Sequence, residues 1–178
     1  MCVGRVDRQK RVHLLIEAFA LIKDRIPEWV VEYWGDVNVD LKYKTELFRL
    51  CHELGVEDKF HFCGITRNIE RVLSDASIFA FPSASEGFPL ALGEAMAKGL
   101  PVIGCIDCSG TNEMIIDGVN GFLAEPTAVS VARALECLAN NYELRLKFGK
   151  MARDGIRKCS PDNIWSIWCN LIFQIVNK

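Results

Sequence analysis

Apolar residues recur along the chain with two alternating periods. Over residues 10–26, Val12, Leu15, Ile16, Phe19, Ile22 and Ile26 keep the three-to-four spacing of one helix face, and Pro27 stops it. The same spacing predicts helices over 41–54, 68–74, 89–98, 111–116, 129–140, 142–158 and 161–176. Gly55 follows the second of these helices, and Gly99 follows the one that Pro89 opens. Between them lie short apolar runs that read as strands over 1–4, 29–34, 59–63, 77–81, 101–105 and 121–124.

Strands that alternate with helices predict an α/β fold: a Rossmann-like parallel sheet with helices on both faces. Residues 1–178 read as a single domain, with no internal repeat and no low-complexity linker. The first strand is shorter than the usual five to six or so residues, so the chain is expected to begin partway into a larger protein. Open parallel sheets bind ligands beyond the carboxyl ends of their strands, where the strand order reverses. The loops after Gly4, Gly35, Gly64, Phe81 and Cys105 are therefore the ones that matter.

Composition narrows the function. The chain has 178 residues, 50% hydrophobic and 25% charged, which excludes a disordered segment. Its 21 basic and 23 acidic residues give a net charge of −2, unlike a dedicated nucleic-acid binder. No apolar run reaches the ~18 residues of a membrane span, and no signal peptide opens the chain. Of the eight cysteines, Cys105 and Cys108 form one C-x-x-C with no second pair or histidines at ligand spacing. The cysteines read as reduced thiols, mostly in apolar patterns, and no metal site is expected.

Chemistry concentrates in three loops. In residues 82–101, PSASEGFPLALGEAMAKGLP, Glu86 falls after a strand and Glu94 lies on the following helix, with seven residues between them. Gly87 allows close backbone approach, and the free N–H groups at the helix start, Leu90 included, form an anion site. A phosphate there, flanked by two carboxylates, suits a ligand that carries both phosphate and hydroxyl groups. The bland reading makes Glu86 a helix cap and leaves Glu94 in solvent. The second loop, Gly4-Arg5-Val6-Asp7-Arg8-Gln9-Lys10, brings Arg5 and Lys10 toward the same cleft as partners for adjacent phosphates; Arg8 and Arg11 read as solvated. Neither G-x-G-x-x-G nor G-x-x-x-x-G-K-[ST] occurs. The third, Gly110-Thr-Asn-Glu113, opens a helix and is weak alone. His13, His52 and His61 have no nucleophile at catalytic spacing and read as structural or surface residues.

In order and spacing, VGRVDRQK, FHFCG, FPSASEGFPLALGEAMAKGLPVI and GTNEMIIDGVNGFL resemble the C-terminal, donor-binding domain of a retaining glycosyltransferase of family 4, in the GT-B fold class. The resemblance implies that Glu86 contacts the hydroxyls of the donor sugar and Glu94 the nucleotide ribose. It implies that Arg5 and Lys10 grip the diphosphate and stabilise its departure, which makes Glu86, Arg5 and Lys10 the catalytic set. Gly4, Gly64, Ile65, Gly87, Phe88, Pro89 and Leu90 complete the donor site. Gly64 and Ile65 frame the base, beside Arg67, itself read as a surface arginine. No cofactor and no metal are implied; the substrate is a nucleotide-diphosphate sugar, UDP-sugar or GDP-sugar above all. The acceptor, a glycan or a lipid-linked glycan, would bind an N-terminal domain absent from these residues. The chain alone is therefore expected to bind donor without transferring sugar. Residues 161–178 read as a terminal helix that either packs in the core or crosses onto that absent domain. A cytoplasmic location, with peripheral association of the full-length protein at the membrane face, and a role in polysaccharide assembly are expectations from the family. A nucleotide-sugar epimerase and a non-catalytic sugar-nucleotide-binding domain are the alternatives.

Overall fold

The computed structural model describes residues 1–176. Six parallel strands form two three-stranded sheets. The first contains β1 (Cys2–Val3), β2 (Val31–Trp34) and β3 (Phe60–Gly64), in the order β1-β2-β3. The second contains β4 (Phe79–Phe81), β5 (Val102–Cys105) and β6 (Gly121–Ala124), in the order β4-β5-β6. The two abut at β1 and β4. There the Met1 carbonyl accepts from the Ala80 N–H at 2.8 Å and the Met1 ammonium donates to the Ile78 carbonyl at 2.9 Å. Across this seam the sequence of strands is 3-2-1-4-5-6, and chain direction reverses its walk between β1 and β4.

Alternation along the strands divides two cores between the two faces. In β4, Ala80 joins the core beneath α1 (Val12–Ala20), α2 (Leu41–Glu53) and α6 (Ala128–Asn140), together with Ile103 and Cys105 of β5. Phe79, Phe81 and Val102 point to the other face, beneath α3 (Ile69–Ser74), α4 (Leu90–Ala97) and α7 (Tyr142–Ile156). The expected Rossmann-like sheet with helices on both faces is therefore present.

The elements are shorter at their ends than the apolar pattern predicts. The helix expected over 10–26 is a 3-10 turn (Arg8–Lys10) and then α1, separated by Arg11 in the left-handed region at φ 47°. Asp7 caps that turn by accepting from the Lys10 N–H. The helix expected over 111–116 is α5 (Ser109–Asn112). Pro89 is the N-cap of α4 rather than its first residue. The last helix, α8 (Pro161–Val176), follows a 3-10 turn (Arg157–Cys159) and buries none of its residues. Ile164, Trp165, Ile167, Trp168, Leu171, Ile172 and Ile175 are all exposed, so core packing is not the role of this helix. Residues 177–178 of the expected terminal segment lie outside the described residues.

All eight cysteines are free thiols; Cys2, Cys51, Cys105 and Cys108 are buried, and the other four are not. Burial pushes the Cys105 thiol up to about 11, which suits an inert core residue. Among the described residues no helix is long and apolar enough to cross a membrane.

Candidate functional site

The carboxyl ends of the strands are built for close backbone approach. Gly35, at the end of β2, adopts φ 149°, and a Cβ there would lie 1.8 Å from the Gly4 carbonyl oxygen. Only glycine fits at that position. The Gly4 N–H donates to the Trp34 carbonyl and the Gly35 N–H to the Gly64 carbonyl, so the ends of β1, β2 and β3 are tied together. Beneath them Tyr33 is buried and donates its phenol to the Arg5 carbonyl at 3.1 Å. The first loop is thus held from below by a side chain of β2.

Lys10 and Glu86 meet across the switch point, with Lys10 Nζ 2.5 Å from Glu86 Oε1. Their side chains are only 15% and 13% exposed. Lys10 also lies over the Phe81 ring, 4.9 Å from its centroid. A pair this enclosed gains more from Coulomb attraction than a surface pair, but it also bears a desolvation cost. The loop after β4 is fastened to the loop after β1 by further bonds. The Gln9 carbonyl accepts from the Ala84 N–H at 2.8 Å, and the Gln9 amide donates to the Ser85 carbonyl at 2.5 Å. Ser83 Oγ donates to Glu86 Oε1 at 2.5 Å.

Arg5 does not join this pair. Its guanidinium is 65% exposed and lies 3.4 Å from Asp7. Arg8 and Arg11, expected to be solvated, are both engaged. Arg8 pairs with Glu46 at 2.6 Å and lies over the Tyr43 ring. Arg11 forms two bonds to Asp107, at 2.9 and 2.6 Å, and these hold the Asp107 carboxyl below its ordinary range. This fork joins the β1 loop to the segment after β5.

The third loop comes to the same place. A Cβ on Gly110 would lie 2.3 Å from the Gly87 carbonyl oxygen and 2.5 Å from that of Glu86. The start of α5 therefore presses directly on the backbone of the Glu86–Gly87 turn. In α4 the first backbone bond runs from the Gly93 N–H to the Pro89 carbonyl, which leaves the N–H groups from Leu90 onward directed at the rim. Glu86 caps nothing here, because α4 has no side-chain cap bond. Glu94 is exposed on α4 and its carboxylate has no partner among the described residues. Phe88, Leu90 and Ile65 are exposed around the rim, Pro89 is buried, and a Cβ on Gly64 or Gly87 would meet nothing.

The structure therefore brings together Lys10, Glu86, Gly87 and the start of α4. Gly64 and Ile65 lie at the end of β3, on the β1 side of the switch point. The roles of Ser83 and Gln9 escaped the sequence reading, whereas Gly110 was singled out there as the start of the third loop; the serine three residues before Glu86 was the available signal. Among the described residues no group of three or more His, Cys, Asp or Glu could hold a metal ion. Two grooves lie outside the Lys10–Glu86 pair, the second of them lined in part by Phe88, Leu90 and Glu94 of the candidate site. One of about 370 Å³ opens at the amino ends of the strands beside Trp29 and Ile78, and one of about 450 Å³ runs from Glu94 along α4 to Pro161.

The family model described as glycosyl transferases group 1 matches residues 1–155. An uncharacterised glycosyltransferase of Haemophilus influenzae is 29% identical over 155 residues, covering 86% of this chain and 42% of that protein. Crystal structures with the same fold include Anabaena HepE in complex with UDP and glucose, at TM-score 0.86 and 23% identity over 99% of this chain and 48% of that one. They also include a mutant of Staphylococcus aureus TarM in complex with fondaparinux, alpha-GlcNAc-glycerol and UDP. That protein has TM-score 0.84 and 28% identity over 95% of this chain and 34% of that one. The chain thus spans about half or less of the length of these relatives.

Proposed function

The chain belongs to the glycosyl transferases group 1 family, and from that premise we propose that it binds the nucleotide-diphosphate-sugar donor of a glycosyltransferase. The observation that carries this reading is the Lys10–Glu86 pair, enclosed at the strand-order reversal beside the start of α4. It sets a cation for phosphate and a carboxylate for hydroxyls side by side.

In this reading the diphosphate lies against Lys10, Arg5 and the N–H groups from Leu90 onward, with Gly4, Gly87, Phe88 and Pro89 shaping its bed. Glu86 accepts hydrogen bonds from the sugar hydroxyls, and Glu94 from the ribose. Gly64 and Ile65 frame the base, which TarM's bound UDP suggests is uracil. In the transfer step the bond between the anomeric carbon and the β-phosphate oxygen breaks, and its electron pair stays with the phosphate. A bond from an acceptor hydroxyl forms at the same carbon, and the proton of that hydroxyl passes to the departing phosphate oxygen. Lys10 and Arg5 stabilise the charge on the departing diphosphate, the task a metal ion performs in other sites. Retention of configuration, a hexosyl donor, a glycan or lipid-linked acceptor on a second domain, and action at the cytoplasmic membrane face complete the proposal. The exposed apolar residues of α8 are assigned to contact with that second domain.

Calorimetric titration with UDP, GDP, ADP and their sugar conjugates tests the reading. One nucleotide is expected to bind selectively, and Glu94→Ala to weaken it about tenfold, the worth of one or two hydroxyl bonds. Glu86→Ala is expected to weaken the sugar conjugate more than the bare diphosphate. Absence of binding by every nucleotide refutes the assignment.

A further inference from the structure

Ser83 has no part in the donor contacts above, yet its surroundings give it one. It lies one residue beyond β4, after Pro82, and is only 1% exposed. Its Oγ lies 2.5 Å from Glu86 Oε1 and 3.3 Å from the Gln9 carbonyl oxygen. A hydroxyl has one proton to give, and the nearer, charged acceptor takes it. The Lys10 ammonium meets the same Oε1 at 2.5 Å. One oxygen of Glu86 is therefore held twice, while Oε2 makes no hydrogen bond among the described residues.

We propose that Ser83 is a positioning residue for Glu86. Its hydroxyl holds the carboxylate in one rotamer and leaves Oε2 to accept from a ligand hydroxyl. The need arises from Lys10. A diphosphate that draws the ammonium away removes one of the two donors on Oε1, and Ser83 is then the bond that keeps Glu86 in place. The hydroxyl also belongs to the stretch fastened to Gln9, so the carboxylate is referenced to the β1 loop rather than to solvent. The proposal rests on the donor-binding reading for its consequence, but not for its geometry.

Two measurements on the full chain test it. The first needs no ligand. In a Lys10→Met background, which removes the other donor on Oε1, three-bond NMR couplings along the Glu86 side chain are expected to report one rotamer with Ser83 present, averaging in Ser83→Ala, and one rotamer again in Ser83→Thr. Couplings that stay unaveraged in Ser83→Ala overturn the proposal. The second compares UDP with UDP-N-acetylglucosamine. Ser83→Ala is expected to lower the preference for the sugar conjugate about tenfold while UDP binds within twofold of wild type, the signature of one charge-assisted hydrogen bond. Equal losses for both ligands, which a merely structural serine would give, overturn it. A wild-type chain that binds neither nucleotide defeats the donor-binding reading, and the couplings still decide the role of Ser83.

Discussion

Gly110→Ala places the strongest demand on the way the three loops meet. The new methyl carbon would lie 2.3 Å from the Gly87 carbonyl oxygen and 2.5 Å from that of Glu86, and ordinary contact begins near 3.4 Å. Both obstructing atoms are backbone, so no rotamer change relieves them, and the turn must retreat by about 1 Å. Overpacking of this kind costs about 1–3 kcal/mol. Alanine recovers up to about 1 kcal/mol where the residue is helical, as Gly110 is in α5. A net loss of about 1 kcal/mol lowers the melting temperature by about 2–4 °C for a chain of this size. A displacement of about 1 Å at Glu86 also costs the site up to about a hundredfold in whatever the turn positions. Gly87→Ala is the internal control, because a Cβ there meets nothing within 4 Å and should change stability by less than about 0.5 kcal/mol. Urea denaturation of both variants, followed by nucleotide titration, gives the comparison. Equal stability of the two variants would refute the claim that α5 sets the position of the Glu86–Gly87 turn.

Three other outcomes are expected. Lys10→Met leaves Glu86 enclosed without its cation and should lose about 2–4 kcal/mol in urea denaturation, whereas Arg5→Ala, exposed beside Asp7, should lose under about 0.5 kcal/mol. Truncation after Ser160 removes α8, which buries none of its own residues, so the melting temperature should stay within a few degrees while self-association in light scattering falls; a collapse of the melt would show that α8 supports the domain. Burial lowers the pKa of His13, whose Nδ1 lies 2.7 Å from the Tyr43 hydroxyl. The unfolded chain then binds the extra proton first, so stability should decline as pH falls below about 6.5, and His13→Gln should flatten that slope in melts from pH 7.5 to 5.5.

Much of this was legible in the chain because periodicity reports burial. The short apolar run over residues 77–81 marks a strand, and the structure sends Phe79 and Phe81 to one core and Ala80 to the other. Element ends were less legible. Nothing in the composition of residues 10–12 announces that Arg11 takes a left-handed conformation and splits the first helix, or that its side chain forks to Asp107, nearly a hundred residues away. The glutamate pair and the basic loop were visible as motifs, and their loops do converge. Which partner each side chain takes was not visible: Lys10 pairs with Glu86, and Arg5 with Asp7. Pairing across the sheet depends on distances that sequence spacing does not encode. Ser83 and Gln9 were overlooked for the same reason. A small polar residue in a loop carries no signal until the loop it touches is known.

The seam between β1 and β4 has a consequence for how the molecule opens. Each three-stranded sheet carries its own strand ladder, whereas the backbone bonds between β1 and β4 run through Met1, with one more from the Ala84 N–H to the Gln9 carbonyl in the loops beyond. Residues 1 and 78–80 are also far apart in sequence, so this closure is entropically late. One core nevertheless spans the seam, with Val12, Leu15 and Phe19 of α1 packed in the same cluster as Ala80, Ile103 and Val131, so the two halves part only when that core opens. Lys10 belongs to one half and Glu86 to the other. An opening along the seam would separate Lys10 from Glu86 and expose the shared core together, and a ligand spanning the two side chains would act as a clasp against it.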